Sequence, residues 1–360
     1  MVDWLAGNRV RGTSTERTST TGFNNTPAIS GGWKEVARTT LGSNNANINV
    51  SSIPDKRYYM ILSDITLTGA GTGGGARLGS GSVDSTANYA QRWSANGAAD
   101  GASGGYSNYH SVGGYSNSDE FYVTYIANKS DKEKLIQTHR VYGLGGGAGN
   151  DPKRAEYVSK WVNTSNPLDY INYYQGGSDQ YANGSEIVVL GWDDTDTHTT
   201  NFWEELATNT ASGGGSTQEV TFTAKKYLWF QCYFELSGST DIPRFQVGNG
   251  SFDTGNNYAE RFSGNGGADE TQTSRSDIHI DKASSKPFFV NGFIINNASQ
   301  EKLFIIHSTE QNTAGAGNAP TRIENVGKWT NTSNQIDRLR ITFGTDTINA
   351  GAIMKVWGHD

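Results

Sequence analysis

Apolar residues along this chain fall in short runs and in strict alternation, and helical spacing is rare. Arg338-Leu-Arg-Ile-Thr-Phe343 alternates polar and apolar with period two, which predicts a half-buried strand. Lys56-Arg-Tyr-Tyr-Met-Ile-Leu62, Glu120-Phe-Tyr-Val-Thr-Tyr-Ile126 and Lys134-Leu-Ile-Gln-Thr-His139 are too short for typical helices and rich in β-branched and aromatic residues. Asp169-Tyr-Ile-Asn-Tyr-Tyr174 and Glu186-Ile-Val-Val-Leu-Gly-Trp192 read the same way. Between the runs lie segments of Gly, Asn and Ser, such as 69–75 and 143–150, which read as loops. One turn of helix fits only Phe202-Trp-Glu-Glu-Leu206.

The pattern occurs twice. Asn88-Tyr-Ala-Gln-Arg-Trp-Ser-Ala-Asn-Gly-Ala-Ala-Asp100 returns as Asn257-Tyr-Ala-Glu-Arg-Phe-Ser-Gly-Asn-Gly-Gly-Ala-Asp269, identical at nine of thirteen positions. Lys160-Trp-Val-Asn-Thr-Ser-Asn166 returns as Lys328-Trp-Thr-Asn-Thr-Ser-Asn334, and Glu133-Lys-Leu135 as Glu301-Lys-Leu303. Chance does not produce this series. The reading is an extended N-terminal arm (1–31), one repeat (32–194), a linker (195–201) and a second repeat (202–360). Each repeat holds roughly seven to nine strands in about 160 residues, the size of a β-sandwich or jelly-roll-like domain. The expected fold class is therefore all-β, a tandem duplication of such a domain.

Composition sharpens this picture. The 360 residues include 45 Gly, 70 Ser plus Thr and 32 Asn, yet also 9 Trp, 17 Tyr and 14 Phe, enough aromatic surface to build a core. A net charge of −7 without a long basic run argues against nucleic acid as a partner. No apolar stretch is long enough for membrane insertion as a helix. The single cysteine, Cys232, excludes an internal disulfide framework. The opening residues lack the apolar core of a secretory signal, although the composition suits an exposed protein.

Candidate chemistry is sparse. Within the shared motif, Arg92 and Asp100, and likewise Arg261 and Asp269, flank an Asn-Gly turn closely enough to pair, and loop stabilisation is the favoured role. Asp193, Asp194, Asp196 and His198 cluster near the linker, but the glycine and distal glutamate of a calcium loop are missing, so a solvated acidic linker is preferred to a metal site. Gly143-Leu-Gly-Gly-Gly-Ala148 mimics a dinucleotide fingerprint without the helix that would hold phosphate, and reads as a loop. His139 and His307 occupy matching strand positions and read as structural. No nucleophile motif or helical zinc motif occurs, so the expectation is a non-enzyme without cofactor.

Several of these segments carry a resemblance. Gly32-Trp-Lys-Glu-Val-Ala-Arg-Thr-Thr-Leu41, Asn88-Tyr-Ala-Gln-Arg92, Glu133-Lys-Leu135, Ile187-Val-Val-Leu-Gly-Trp-Asp193 and the opening Asp3-Trp-Leu-Ala-Gly-Asn-Arg-Val-Arg-Gly-Thr-Ser-Thr-Glu16 resemble environmental viral sequences. These are grouped as virion-associated structural proteins of tailed phages and archaeal viruses. The resemblance implies a capsid, decoration, fibre or tail component, made in the host cytoplasm and exposed on the released virion. It carries no catalytic residues. The expected partners are further copies of the chain and other virion proteins, with Trp4, Leu5, Arg9 and Arg11 of the arm as assembly contacts. The alternative is a carbohydrate-binding adhesin or receptor-binding protein that takes a host-surface glycan through loop Tyr, Trp, Asn and Asp. A polysaccharide-degrading enzyme ranks third.

Overall fold

A computed structural model describes residues 29–30, 32–69, 74–113, 119–143, 145–193, 196–198, 200–238, 241–280 and 285–360. Trp4, Leu5, Arg9, Arg11 and Asp194 lie outside these residues. Every regular element among the described residues is a β-strand, and every named pairing is antiparallel. Repeat 1 contains an eight-stranded sheet in the order Lys34–Thr40, Glu186–Trp192, Tyr58–Thr66, Asp119–Ala127, Lys134–Gly143, Pro152–Trp161, Tyr89–Ala95, Gly101–Ser107. Repeat 2 reproduces that order with Glu204–Thr210, Ile353–His359, Tyr227–Phe234, Phe288–Ile295, Lys302–Glu310, Thr321–Trp329, Tyr258–Gly264, Glu270–Arg275. Each large sheet is backed by a smaller one of four or five strands. The duplication read from sequence is thus a duplication of topology.

Two details differ from expectation. Each repeat has more strands than the predicted seven to nine; in repeat 1 the glycine-rich stretches Gly74–Gly79 and Gly101–Ser107 pair as strands. At Gly75 a Cβ would sit 2.3 Å from the Tyr109 ring, so glycine is what lets that strand lie under the aromatic side chain. The turn expected at Phe202–Leu206 is instead the entry to the strand Glu204–Thr210. Propensity there yields to the edge of the large sheet, which that strand completes by pairing with Ile353–His359.

The apolar runs make sense once both faces of the large sheets are followed. In Tyr58–Leu62, Tyr59 and Ile61 enter the core of their own sandwich, beside Tyr122, Trp161 and Ile187. Met60 and Leu62 point the other way into a third core. That third core joins Phe121, Val123, Val141, Val188 and Leu190 of repeat 1 to Tyr227, Phe293, Ile295, Leu303, Ile305 and Val326 of repeat 2. The large sheets therefore pack face to face, and the molecule is a stack of four sheets. A sheet covered on both sides needs continuous apolar strands, which is what these runs are.

Candidate functional site

The motifs shared by the two repeats fix turns. The Tyr89 hydroxyl bridges the Leu78 amide (2.8 Å) and the Asp84 carbonyl (3.0 Å), and Tyr258 does the same with Val247 (3.1 Å) and Asp253 (3.1 Å). Trp161 Nε1 donates to Asp84 (2.8 Å), and Trp329 Nε1 to Asp253 (2.7 Å). Lys134 and Lys302 are buried, and each donates to a ring of carbonyls that includes Asn163 (2.8 Å) and Asn331 (2.7 Å) respectively. The Asn-Gly turns carry the left-handed conformation that a tight hairpin demands, with φ of 52° and 72° at Asn96 and Gly97, and 54° and 72° at Asn265 and Gly266. These residues hold the fold.

The Arg–Asp pairs of the two motifs sit in different surroundings. Arg92 Nη1 lies 3.4 Å from Asp100, with both side chains more than half exposed. Arg261 lies 3.5 Å from Asp269, but both are buried and their strongest partners come from repeat 1. Arg154 meets Asp269 through both Nε and Nη2, the latter at 2.8 Å, while Asp151 and the Pro152 carbonyl (3.0 Å) take Arg261. The glycine-rich loop that precedes them also grips repeat 2. The Gly145 carbonyl accepts from Lys328 (3.0 Å), and the Ala148 carbonyl accepts from the Ser274 amide (2.7 Å). The sequence reading of this stretch as a loop holds; its role as a clamp depends on the second repeat's placement and has no local signature.

Elsewhere on the seam, Lys226 of repeat 2 lies 3.0 Å from both Asp64 and Glu186 of repeat 1, and the Tyr227 hydroxyl donates to Glu186 (2.8 Å). Burial pushes the Asp64 carboxyl up to about 6 against the pull of Lys226. Burial also works to raise Glu186, but hydrogen bonds from Thr40 and Tyr227 and the Lys226 charge outweigh it and bring it down to about 2.

Near the middle of the seam His139 meets His307, ring centroids 4.8 Å apart and nearly perpendicular. Each histidine has a glutamate directly across the strand pair, Glu156 for His139 and Glu324 for His307. One ligating atom from each of His139, Glu156 and His307 lies within 4.8 Å of the others. Burial lowers the pKa of both rings; for His307, with His139 and two arginines adding to it, the value falls to about 3. Both imidazoles are neutral at ordinary pH. Matching sequence positions revealed their equivalence but not that they touch.

In the linker, Asp196 is half-buried and engaged within the protein. The Asp193 amide donates to Asp196 (2.9 Å), Asp196 also pairs with Lys56, and the backbone of Thr197–His198 pairs with Ile29–Ser30. Asp196 is thus committed to a turn. On the same side of repeat 1, Tyr58 stacks on Trp192 with centroids 5.3 Å apart and planes 19° from parallel. This pair divides an apolar groove of about 400 Å³, floored by Tyr125, Leu135 and Gln137, from a polar hollow of about 560 Å³ edged by Asp55, Arg57, Asn128 and Asp193. The Trp192 Nε1 proton is buried without a hydrogen-bond partner.

Four of the five large apolar residues exposed on the described large sheets, all but Tyr233, have a common property. Tyr58, Leu135 and Val158 of repeat 1 and Phe289 of repeat 2 are all exposed by more than a third. Their counterparts by strand and register are Tyr227, Leu303, Val326 and Phe121, and all four of those are buried in the seam. The two sheets pack off register, so each leaves uncovered the positions through which the other makes contact.

Comparison with protein families finds no match, and comparison with curated proteins finds none either. Among solved structures, the chain aligns with human GIVD cytosolic phospholipase A2 in complex with methyl gamma-linolenyl fluorophosphonate, at 7% identity and a TM-score of 0.11, over 77% of this chain and 33% of that one. The chain spans about a third of that protein's length, and at this TM-score the likeness carries no argument about fold or activity.

Proposed function

We propose that the chain is a structural subunit that associates with further copies of itself, as a component of a virus particle. The observation that carries this reading is the set of exposed residues Tyr58, Leu135, Val158 and Phe289, whose twins form the internal seam. A surface that is complementary in composition to an interface already present in the molecule is suited to repeat that interface with a second copy. The virus particle enters through the resemblance of the sequence segments named above. No catalytic step belongs to the proposal. Electron microscopy of the purified full chain tests it: discrete oligomers, filaments or shells are expected, and dispersed monomers at all concentrations would overturn it.

A second reading has its own support in the cleft of repeat 1. A stacked Tyr–Trp pair offers a flat apolar surface for a sugar ring, and Asp55 and Arg57 edge the polar hollow beside it. A glycan array separates the two. Saturable sugar binding that is lost in Trp192→Ala supports the adhesin role, and its absence leaves assembly as the function of this face.

A further inference from the structure

We infer that His139, Glu156 and His307 form a binding site for one divalent cation of the zinc, cobalt or nickel class, which ties the two repeats together across their seam. This inference does not depend on the proposed assembly. The donor set is contributed by three strands of the two rigid sheets, Lys134–Gly143, Pro152–Trp161 and Lys302–Glu310. Its ligating atoms lie within 4.8 Å of one another, a spread that side-chain rotation reduces to the separation of ligands around one ion.

A second observation points the same way. His139 and His307 are half-buried and in ring contact, and neither ring is tied up in a hydrogen bond to a described protein group. The ring nitrogens can therefore take a shared ligand without giving up a protein hydrogen bond. Repeat 1 shows the contrast in His110, a buried histidine with both ring nitrogens engaged, to Ser159 (2.6 Å) and Thr138 (3.0 Å).

The chemistry selects the ion. Two imidazole nitrogens and one carboxylate oxygen suit borderline cations such as Zn²⁺, and fall short of the six or more oxygens that Ca²⁺ takes. Arg154 does not block the site. It donates to Glu156 Oε1 at 2.6 Å and to Glu324 Oε2 at 2.9 Å, which leaves Glu156 Oε2 for the ion and fixes the carboxylate's orientation. Glu324, opposite His307, is held by Arg154 and Arg322 and stays outside the donor set, which leaves the remaining position to water.

The test is titration of the full chain, freed of metal by chelator and dialysis, with Co²⁺ and then Zn²⁺. Expected are one equivalent of tightly bound ion per chain, visible Co²⁺ absorption of the low-symmetry type that Zn²⁺ displaces, and a raised Tm. His139→Gln and His307→Gln should each weaken binding by roughly 10- to 100-fold or more. If a variant fails to fold, histidine ¹⁵N–¹H correlation spectra of the unaltered chain serve instead. Zn²⁺ should then shift the ring signals of two histidines and leave His110 unmoved. Failure of the unaltered chain to bind either ion at millimolar concentration overturns the inference, as does undiminished binding in the folded variants or an unmoved pair of histidine signals.

Discussion

Arg92 with Asp100 and Arg261 with Asp269 are the same two residues of the same motif, placed in two environments. In repeat 1 the pair stands in water at 3.4 Å, where screening and side-chain entropy leave an ion pair with little net worth. In repeat 2 the same residues are buried against Asp151 and Arg154 of repeat 1, and each charge there depends on its partner. A motif kept in duplicate has thus become a surface loop in one copy and half of an interface in the other. The same division runs through the apolar residues, where Leu135 is exposed and its twin Leu303 is in the seam.

The largest separation between the copies should come from Arg154. Arg154→Ala removes the cation that Asp269 and Glu324 share, leaving Asp269 only Arg261 at 3.5 Å and Glu324 only Arg322 at 2.9 Å, at an expected cost of up to about 3–5 kcal/mol, read from chemical denaturation of the full chain. Replacing Asp269 with Asn at the same time should recover part of that loss, because one of the stranded charges is then gone.

Leu303→Ala should cost about 2–5 kcal/mol, as for other large-to-small changes in a packed core. Leu135→Ala, at the matching position, should stay within about 0.5 kcal/mol in dilute solution. Equal effects from the two would contradict the off-register seam.

A third contrast lies between Gln91 and Glu260. Gln91 accepts from the Ser111 amide at 2.7 Å, and Glu260 accepts from the His279 amide at 3.0 Å, so the two side chains do one job. Burial pushes the Glu260 carboxyl up to about 8, opposed by hydrogen bonds from Asn325 and the His279 amide; Asp277 and Arg275 also bear on it. Such a carboxyl holds its proton more tightly folded than unfolded. Its contribution to stability is full below the ordinary carboxyl range and is lost as pH rises from there through about 8. Glu260→Gln should flatten the fall in Tm over that window, and Tm curves that coincide for the two proteins would count against it. Arg92→Ala marks the other extreme, with an expected change of about 0–1 kcal/mol by the same denaturation assay.

Much of this architecture was legible from local pattern. Period-two alternation, Asn-Gly turns and the recurring motif point to strands, hairpins and duplication because each depends on near neighbours in the chain. The continuous apolar runs such as Ile187–Leu190 also carried the sign of two-sided burial. What local pattern leaves out is which copy's residues meet which. His139 and His307 are 168 positions apart in equivalent strands, and only the packing angle of two sheets brings them together. The clamp of Asp151 and Arg154 on Arg261 and Asp269 is hidden for the same reason, since repeat 2 has Ala319 where repeat 1 has Asp151.

The exposed twins of the seam residues are themselves the proposed interface. Sedimentation velocity of the full chain over a wide concentration range, beside a Leu135→Lys/Val158→Lys variant with an unchanged circular dichroism spectrum, measures that directly. Concentration-dependent association of the unaltered chain and a variant that stays monomeric are predicted. A chain that remains monomeric throughout, or a variant that associates as strongly as the original, would contradict it.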